Sequence, residues 1–66
     1  MKQVLIVDDN ILDNKAVRMA LSGRYFTSSV TSGSDVFAYL GSHRPDMILL
    51  DQYMPDMTGF EVLRRL

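Results

Sequence analysis

Three aspartates stand directly after apolar runs in this 66-residue chain, and they are the side chains best suited to chemistry. Asp8 and Asp9 follow the run VLIV, and Asp51 follows the run MILL about forty positions later. Adjacent carboxylates repel one another, so a pair placed at the end of an apolar segment favours a bound cation. A carboxylate beside a divalent cation can also act as a nucleophile toward a phosphoryl group and form an aspartyl phosphate.

The position of these aspartates depends on the strands that precede them. Val4 to Val7 is an unbroken apolar run, too short for a helix, and is typical of a strand covered on both faces. Met47 to Leu50 is a second such run and predicts another buried strand. Between them, Tyr25 to Val30 is rich in aromatic, Thr and Val residues and predicts a strand bounded by turn residues.

Helical spacing follows each predicted strand. A first helix is expected from about Ile11, with Asn10 as its N-cap and Gly23 as its stop. A second is expected to begin at a Ser34 cap and to end near Gly41, with the apolar stripe Val36, Phe37 and Leu40. A third is indicated by the capping box of Thr58 and Glu61. Its apolar face is expected to consist of Phe60, Leu63 and Leu66.

The alternation of strand and helix predicts an α/β fold with parallel strands joined by right-handed crossovers. With strand one in the centre, the sheet order is 2-1-3, and the order reverses between strands one and three. Ligands of such sheets bind at the carboxyl ends of the strands at this reversal, so Asp8, Asp9 and Asp51 are expected to converge. An all-carboxylate group favours Mg²⁺, because Zn²⁺ would prefer His or Cys ligands.

Two segments together carry a family resemblance. The stretches "VLIVDDN" and "ILLDQYMPDMTGFEVLRRL" closely resemble the receiver domain of two-component response regulators. That family has an acid pair after strand one and an Asp-x-x-Met-Pro-x-x-x-Gly segment after strand three. Asp51, Met54, Pro55 and Gly59 match the second pattern at the required spacing, whereas Gln52 is polar where the family often has an apolar residue.

The resemblance implies a flavodoxin-like (CheY-like) fold and a role for each site residue. Asp51 would be the phosphoacceptor, Asp9 a direct Mg²⁺ ligand, Asp8 a metal-site acid acting partly through water, and the Tyr53 backbone carbonyl a further ligand. The phosphoryl donor would be a phosphohistidine on a sensor histidine kinase or a histidine phosphotransfer protein. The chain would be a regulatory phosphoacceptor rather than an enzyme. Family members have five strands, so residues 1–66 are expected to be the amino-terminal part of a receiver, without strands four and five.

Several other kinds of site fit the same residues less well. The Asp8-Asp9 pair alone is also typical of acidic residues favoured by a helix dipole. A haloacid-dehalogenase-type phosphatase carries an Asp-x-Asp motif, but in this chain Tyr53 occupies the position of the second acid. A dinucleotide-binding domain needs glycines after strand one, where this chain has Asp8, Asp9 and Asn10. An EF-hand loop beginning at Asp51 fails at Tyr53 and at Val62, where its glutamate should stand.

The main alternative is an interaction module. On this hypothesis the chain is a receiver fragment without signalling activity that self-associates as a homodimer, because the apolar strand Met47 to Leu50 would form an open sheet edge.

Composition limits the remaining function classes. The chain is 47% hydrophobic with a net charge of −1, which gives no basic footprint for nucleic acid. The apolar stretch at the N-terminus is too short for a signal peptide, and no stretch is long enough to span a membrane. The lack of cysteine fits a reducing compartment, so a cytoplasmic location is expected.

Overall fold

The computed structural model describes all 66 residues and contains one parallel sheet of three strands in the order β2-β1-β3. The strands are β1 (Gln3–Val7), β2 (Phe26–Val30) and β3 (Met47–Leu50). The helices are α1 (Ile11–Leu21), α2 (Gly33–Leu40) and α3 (Gly59–Arg65). The predicted α/β class, the alternating element order and the central position of β1 are confirmed.

The pairing of the strands places their carboxyl ends side by side. Val7 at the end of β1 is in register with Val30 of β2 and Leu50 of β3. The ladder continues one step further, since the Asp8 amide donates to the Val30 carbonyl at 3.2 Å and the Asp51 amide donates to the Val7 carbonyl at 2.9 Å. Asp8 and Asp51 therefore both lie at the carboxyl ends of the strands, next to each other.

The most buried side chains lie on one face of the sheet. Leu5 and Val7 of β1 pack with Val36 of α2 and Val62 of α3, and none of the four is more than 1% exposed. The predicted apolar face of α3 is wrong, because Phe60, Leu63 and Leu66 are each more than half exposed. Helix α3 packs against α2 and β1 through the β-branched Val62, which is fully buried, so the longer apolar side chains lie on its outer face.

The opposite face is only partly covered. Val17 of α1 lines a shallow pocket together with Ile6 and Leu49. Helix α1 contacts β1 and β2, whereas β3 lies at the edge of the sheet. Met47 is consequently 53% exposed and Leu49 37% exposed. The prediction that β3 is fully buried is therefore wrong for these two side chains.

The ends of α1 follow the predicted signals. The Asn10 side chain accepts from the Leu12 and Asp13 amides at 3.0 and 3.1 Å, which confirms the predicted N-cap. Gly23 has a φ of +90°, a conformation that favours glycine, and the chain reverses there. The Tyr25 amide still donates to the Leu21 carbonyl, so β2 begins at Phe26 rather than at Tyr25.

The start of α2 differs from the prediction. Its N-cap is Ser32, whose hydroxyl accepts from the Asp35 amide at 3.2 Å, and not Ser34. The Gly33 and Ser34 amides are instead bound by a carboxylate from a distant loop, so the helix can begin earlier. The predicted end near Gly41 and the capping box of α3 are both confirmed. A membrane span would need a longer and more apolar helix than any in this structure.

Candidate metal site

Three carboxylates converge at the carboxyl ends of β1 and β3. One oxygen from each of Asp8, Asp9 and Asp51 lies within 4.8 Å of the other two. Asp8 and Asp51 are half-buried and Asp9 is exposed. The structure thus brings together the acids from two segments about forty positions apart, at the place where the strand order reverses.

The backbone near the acid pair is held by short-range bonds. Asp8 Oδ1 accepts from the Asn10 amide at 2.9 Å, and Asn10 in turn caps α1. At the second strand end, Asp51 Oδ1 accepts only a long bond, at 3.5 Å, from the Tyr53 amide. The Asp51 carboxylate is thus less constrained by the protein than that of Asp8.

Asn14 binds the backbone next to the acid pair, although the sequence patterns did not single it out. It is 4% exposed, and its Nδ2 donates to the Asp8 carbonyl at 3.2 Å and to the Val30 carbonyl at 3.3 Å. These bonds join the ends of β1 and β2. A signal was available, because Asn14, Val17 and Leu21 lie at helical spacing on the inward face of α1. Among the buried side-chain nitrogen and oxygen atoms, Asn14 Oδ1 is the one without a hydrogen-bond partner.

The donor set fits Mg²⁺. Mg²⁺ binds oxygen ligands at about 2.0 to 2.1 Å, so opposite ligands of one octahedral ion are about 4.2 Å apart. At most one pair among three such ligands can be opposite, and adjacent ligands are about 2.9 Å apart. The three carboxylate oxygens, which lie within 4.8 Å of one another, can therefore bind one ion once their side chains move closer together. The cluster contains no His or Cys, the ligands that Zn²⁺ prefers.

The loop of residues 51–58 connects the site to α3 and passes very close to its first residue. The Gly59 amide donates to the Gln52 carbonyl at 2.9 Å. A β-carbon on residue 59 would lie 2.5 Å from the Asp51 carbonyl oxygen, so only glycine permits this approach. Tyr53 lies within the loop, two residues beyond Asp51, and its side chain is 79% exposed.

Asp56 in the same loop binds the first turn of α2. Its Oδ1 accepts from the Gly33 amide at 3.0 Å and its Oδ2 from the Ser34 amide at 2.9 Å. These two bonds lower the pKa of Asp56 below its ordinary value of 3.8, and the bond from Gly33 has the larger effect. No local pattern signals this contact, because its partners lie more than twenty positions earlier in the chain.

The depressed pKa of Asp56 predicts a loss of stability in acid. The ionised carboxylate stabilises the folded state fully above pH 3.8, and this contribution is lost as pH falls through the lower folded pKa. We expect Asp56→Asn to lower the free energy of unfolding at neutral pH, with the difference from the unsubstituted protein shrinking in acid. Urea unfolding over a pH series measures this, with Asp35→Asn on the same turn as control. A difference that is constant with pH would contradict the assignment.

Comparisons with known proteins agree with this geometry. Residues 4–66 match the family model of the response regulator receiver domain. A two-component response regulator of Oryza sativa subsp. indica is 41% identical over 64 residues, which cover 94% of this chain and 49% of the relative. The chain thus spans about half the length of that relative.

Solved structures show the same likeness. The N-terminal domain of a response regulator receiver protein from Methanoculleus marisnigri superposes with a TM-score of 0.94 at 32% identity, over 98% of this chain and 54% of that one. The response regulator TrrA of Thermotoga maritima, solved in complex with Mg²⁺ and BeF, gives 0.92 at 27% identity, over 98% and 57%. TrrA has also been solved in complex with the histidine kinase ThkA. With its family pattern, its sheet order and its cluster of strand-end acids, the chain belongs to the response regulator receiver domain family.

Proposed function

We propose that the protein accepts a phosphoryl group on Asp51 in two-component signal transduction. The observation that carries the proposal is the group of three carboxylate oxygens, from Asp8, Asp9 and Asp51, within 4.8 Å of one another at the sheet's switch point. The weakly constrained Asp51 carboxylate suits the acceptor, since an oxygen without strong hydrogen bonds is free to form a new bond.

In this proposal each acid has a distinct task. Asp9, which is exposed, and Asp8, whose Oδ1 already accepts from Asn10, would hold Mg²⁺ together with Asp51 and the Tyr53 carbonyl. Bound Mg²⁺ would offset negative charge that develops on the phosphoryl oxygens. An Asp51 oxygen attacks phosphorus as the P–N bond of the phosphohistidine donor breaks, and the electron pair of that bond stays on the imidazole nitrogen.

The donor would be a phosphohistidine on a sensor histidine kinase or a histidine phosphotransfer protein. The kinase complex of the relative TrrA supports a histidine kinase as partner, and its Mg²⁺ and BeF complex supports Mg²⁺ as cofactor. The protein's role would be that of a regulatory phosphoacceptor and not that of an enzyme acting on a separate substrate. The cytoplasmic location and the assignment of residues 1–66 to the amino-terminal part of a receiver stay predictions.

The direct test is the intact mass of the protein after incubation with Mg²⁺ and a small-molecule phosphodonor. We expect an adduct of one phosphoryl group that forms with Mg²⁺ and does not form when the metal is removed with a chelator. An adduct of equal yield with and without Mg²⁺ would overturn the proposed metal-assisted transfer.

A second candidate function is self-association through the β3 edge. The observation in its favour is that Met47 and Leu49 are 53% and 37% exposed on a strand that has a neighbour on one side only. Exposed apolar edge strands pair readily with other chains, and a charged side chain on the edge opposes such pairing.

This candidate predicts a dimer at high micromolar concentration. Light scattering should give the dimer mass for the unsubstituted protein and the monomer mass for Leu49→Lys, because a lysine on the edge disfavours strand pairing. Met19→Lys is the matched control, since Met19 is exposed on α1, away from β3. A monomer in the unsubstituted protein would exclude this function.

A further inference from the structure

Gln52, the residue directly after Asp51, binds the start of α3 twice. Its backbone carbonyl accepts from the Gly59 amide at 2.9 Å, and its side-chain Oε1 accepts from the Phe60 amide at 3.0 Å. Gln52 thus connects the backbone next to Asp51 to the first turn of α3.

These bonds complete the amino end of α3. An α-helix leaves four amides at its start, counted from the N-cap residue, without intrahelical partners. In α3 all of them are satisfied, two by Gln52 and two within the capping box: Gly59 to Gln52 O, Phe60 to Gln52 Oε1, Glu61 to Thr58 Oγ1, and Thr58 to Glu61 Oε1. A helix of seven residues is marginal by itself, so its docking depends on such contacts.

Asp56 fixes the other end of the same loop. Its two carboxylate bonds to the Gly33 and Ser34 amides attach the loop to α2. The next side chain, Met57, fills the space beside the Gly33 α-carbon, where a β-carbon would collide with it. The segment between Gln52 and Asp56 is therefore anchored to α3 at one end and to α2 at the other.

Tyr53 lies inside this anchored segment. We propose that Gln52 and Asp56 are positioning residues that hold the loop backbone so that the Tyr53 carbonyl serves the Mg²⁺ site. This inference rests on the proposed function, since it assumes that the acid cluster binds Mg²⁺. Neither side chain belongs to the acid cluster, and both instead accept hydrogen bonds from helix amides. Partners that orient a metal ligand affect affinity strongly, because a displaced ligand lowers the affinity of the whole site.

The experiment compares Gln52→Leu with Gln3→Leu, the same substitution at the only other glutamine, which is exposed at the start of β1. Mg²⁺ is titrated into the isotope-labelled protein, and amide signals report both binding and the state of the Phe60 amide. We expect Gln52→Leu to weaken Mg²⁺ binding about tenfold and to shift the metal-free Phe60 signal. Gln3→Leu should change neither. Asp56→Asn should weaken binding similarly, with Asp35→Asn as its control.

Two further variants separate positioning from general stability. Gln52→Glu keeps an acceptor for the Phe60 amide and should retain both the signal and the affinity. Val36→Ala removes buried volume from the core and should lower stability without changing Mg²⁺ affinity. If Gln52→Leu fails to fold, Gln52→Glu carries the test, and a tenfold loss of affinity in it would overturn the inference.

The possible failures are distinguishable. Equal Mg²⁺ affinity in Gln52→Leu and the unsubstituted protein would overturn the positioning role and leave the proposed function standing. No Mg²⁺ binding by the unsubstituted protein would overturn both. A loss of affinity in Val36→Ala as large as that in Gln52→Leu would assign the effect to stability and also overturn the inference.

Discussion

Asp51→Asn is expected to abolish the phosphoryl adduct completely. An amide oxygen is a far weaker nucleophile than a carboxylate oxygen, and the substitution nearly preserves the size and planar shape of the side chain. The Asp51 carboxylate accepts only one long hydrogen bond in the structure, so the fold should tolerate the change. Intact mass after incubation with Mg²⁺ and a small-molecule phosphodonor measures the result, with amide dispersion or circular dichroism as the check on folding.

The control for Asp51→Asn is Asp13→Asn, which removes an exposed carboxylate in the first turn of α1. It should form the adduct as the unsubstituted protein does. An adduct that persists in Asp51→Asn would move the acceptor to another carboxylate, with Asp8 and Asp9 the nearest candidates. Peptide mapping of the modified protein would then identify the true position.

Asp9→Asn is expected to weaken Mg²⁺ binding by more than the roughly ten- to hundredfold that loss of an outer-shell partner costs, because in the proposed site Asp9 binds the ion directly. Of the three acids, Asp9 is the exposed one, and no hydrogen bond to its carboxylate competes with the metal. The variant therefore removes a ligand with little disturbance of the protein. Calorimetric titration with Mg²⁺ gives the affinity directly.

Removing any negative charge near a cation site lowers affinity somewhat through long-range attraction. This effect falls off over about 8 Å at physiological ionic strength. Asp13→Asn, four residues further along the chain, measures that general contribution. Equal Mg²⁺ affinity in Asp9→Asn and Asp13→Asn would remove Asp9 from the ligand set and leave only an electrostatic role for it.

The architecture and the meeting of the acids could be predicted from the sequence because both follow from local patterns. The runs VLIV and MILL are too short for helices and end on carboxylates, and parallel crossovers bring strand ends to one edge. The capping box of Thr58 and Glu61 is a contact between residues three apart, so spacing alone reveals it.

The remaining features depend on contacts between distant residues. Ser34 satisfies the local rule for an N-cap, yet Asp56 binds its amide from across the fold and the helix begins at Gly33. The apolar spacing of Phe60, Leu63 and Leu66 is regular, but Val62 is the side chain that enters the core, where it packs with Val36 of α2 and with Leu5 and Val7 of β1. Spacing along one helix does not encode such bonds, since their partners lie on other elements.

The contact between Gly33 and Met57 constrains how the sequence can vary. A β-carbon on residue 33 would meet both the Met57 thioether chain and, at 3.2 Å, a methyl group of Val62. Any side chain on residue 33 would therefore compete with those of residues 57 and 62 for the same space, where α2, α3 and the loop of residues 51–58 meet. A larger residue at 33 requires a smaller one at 57, so the two are expected to be exchanged as a pair in any redesign of this region.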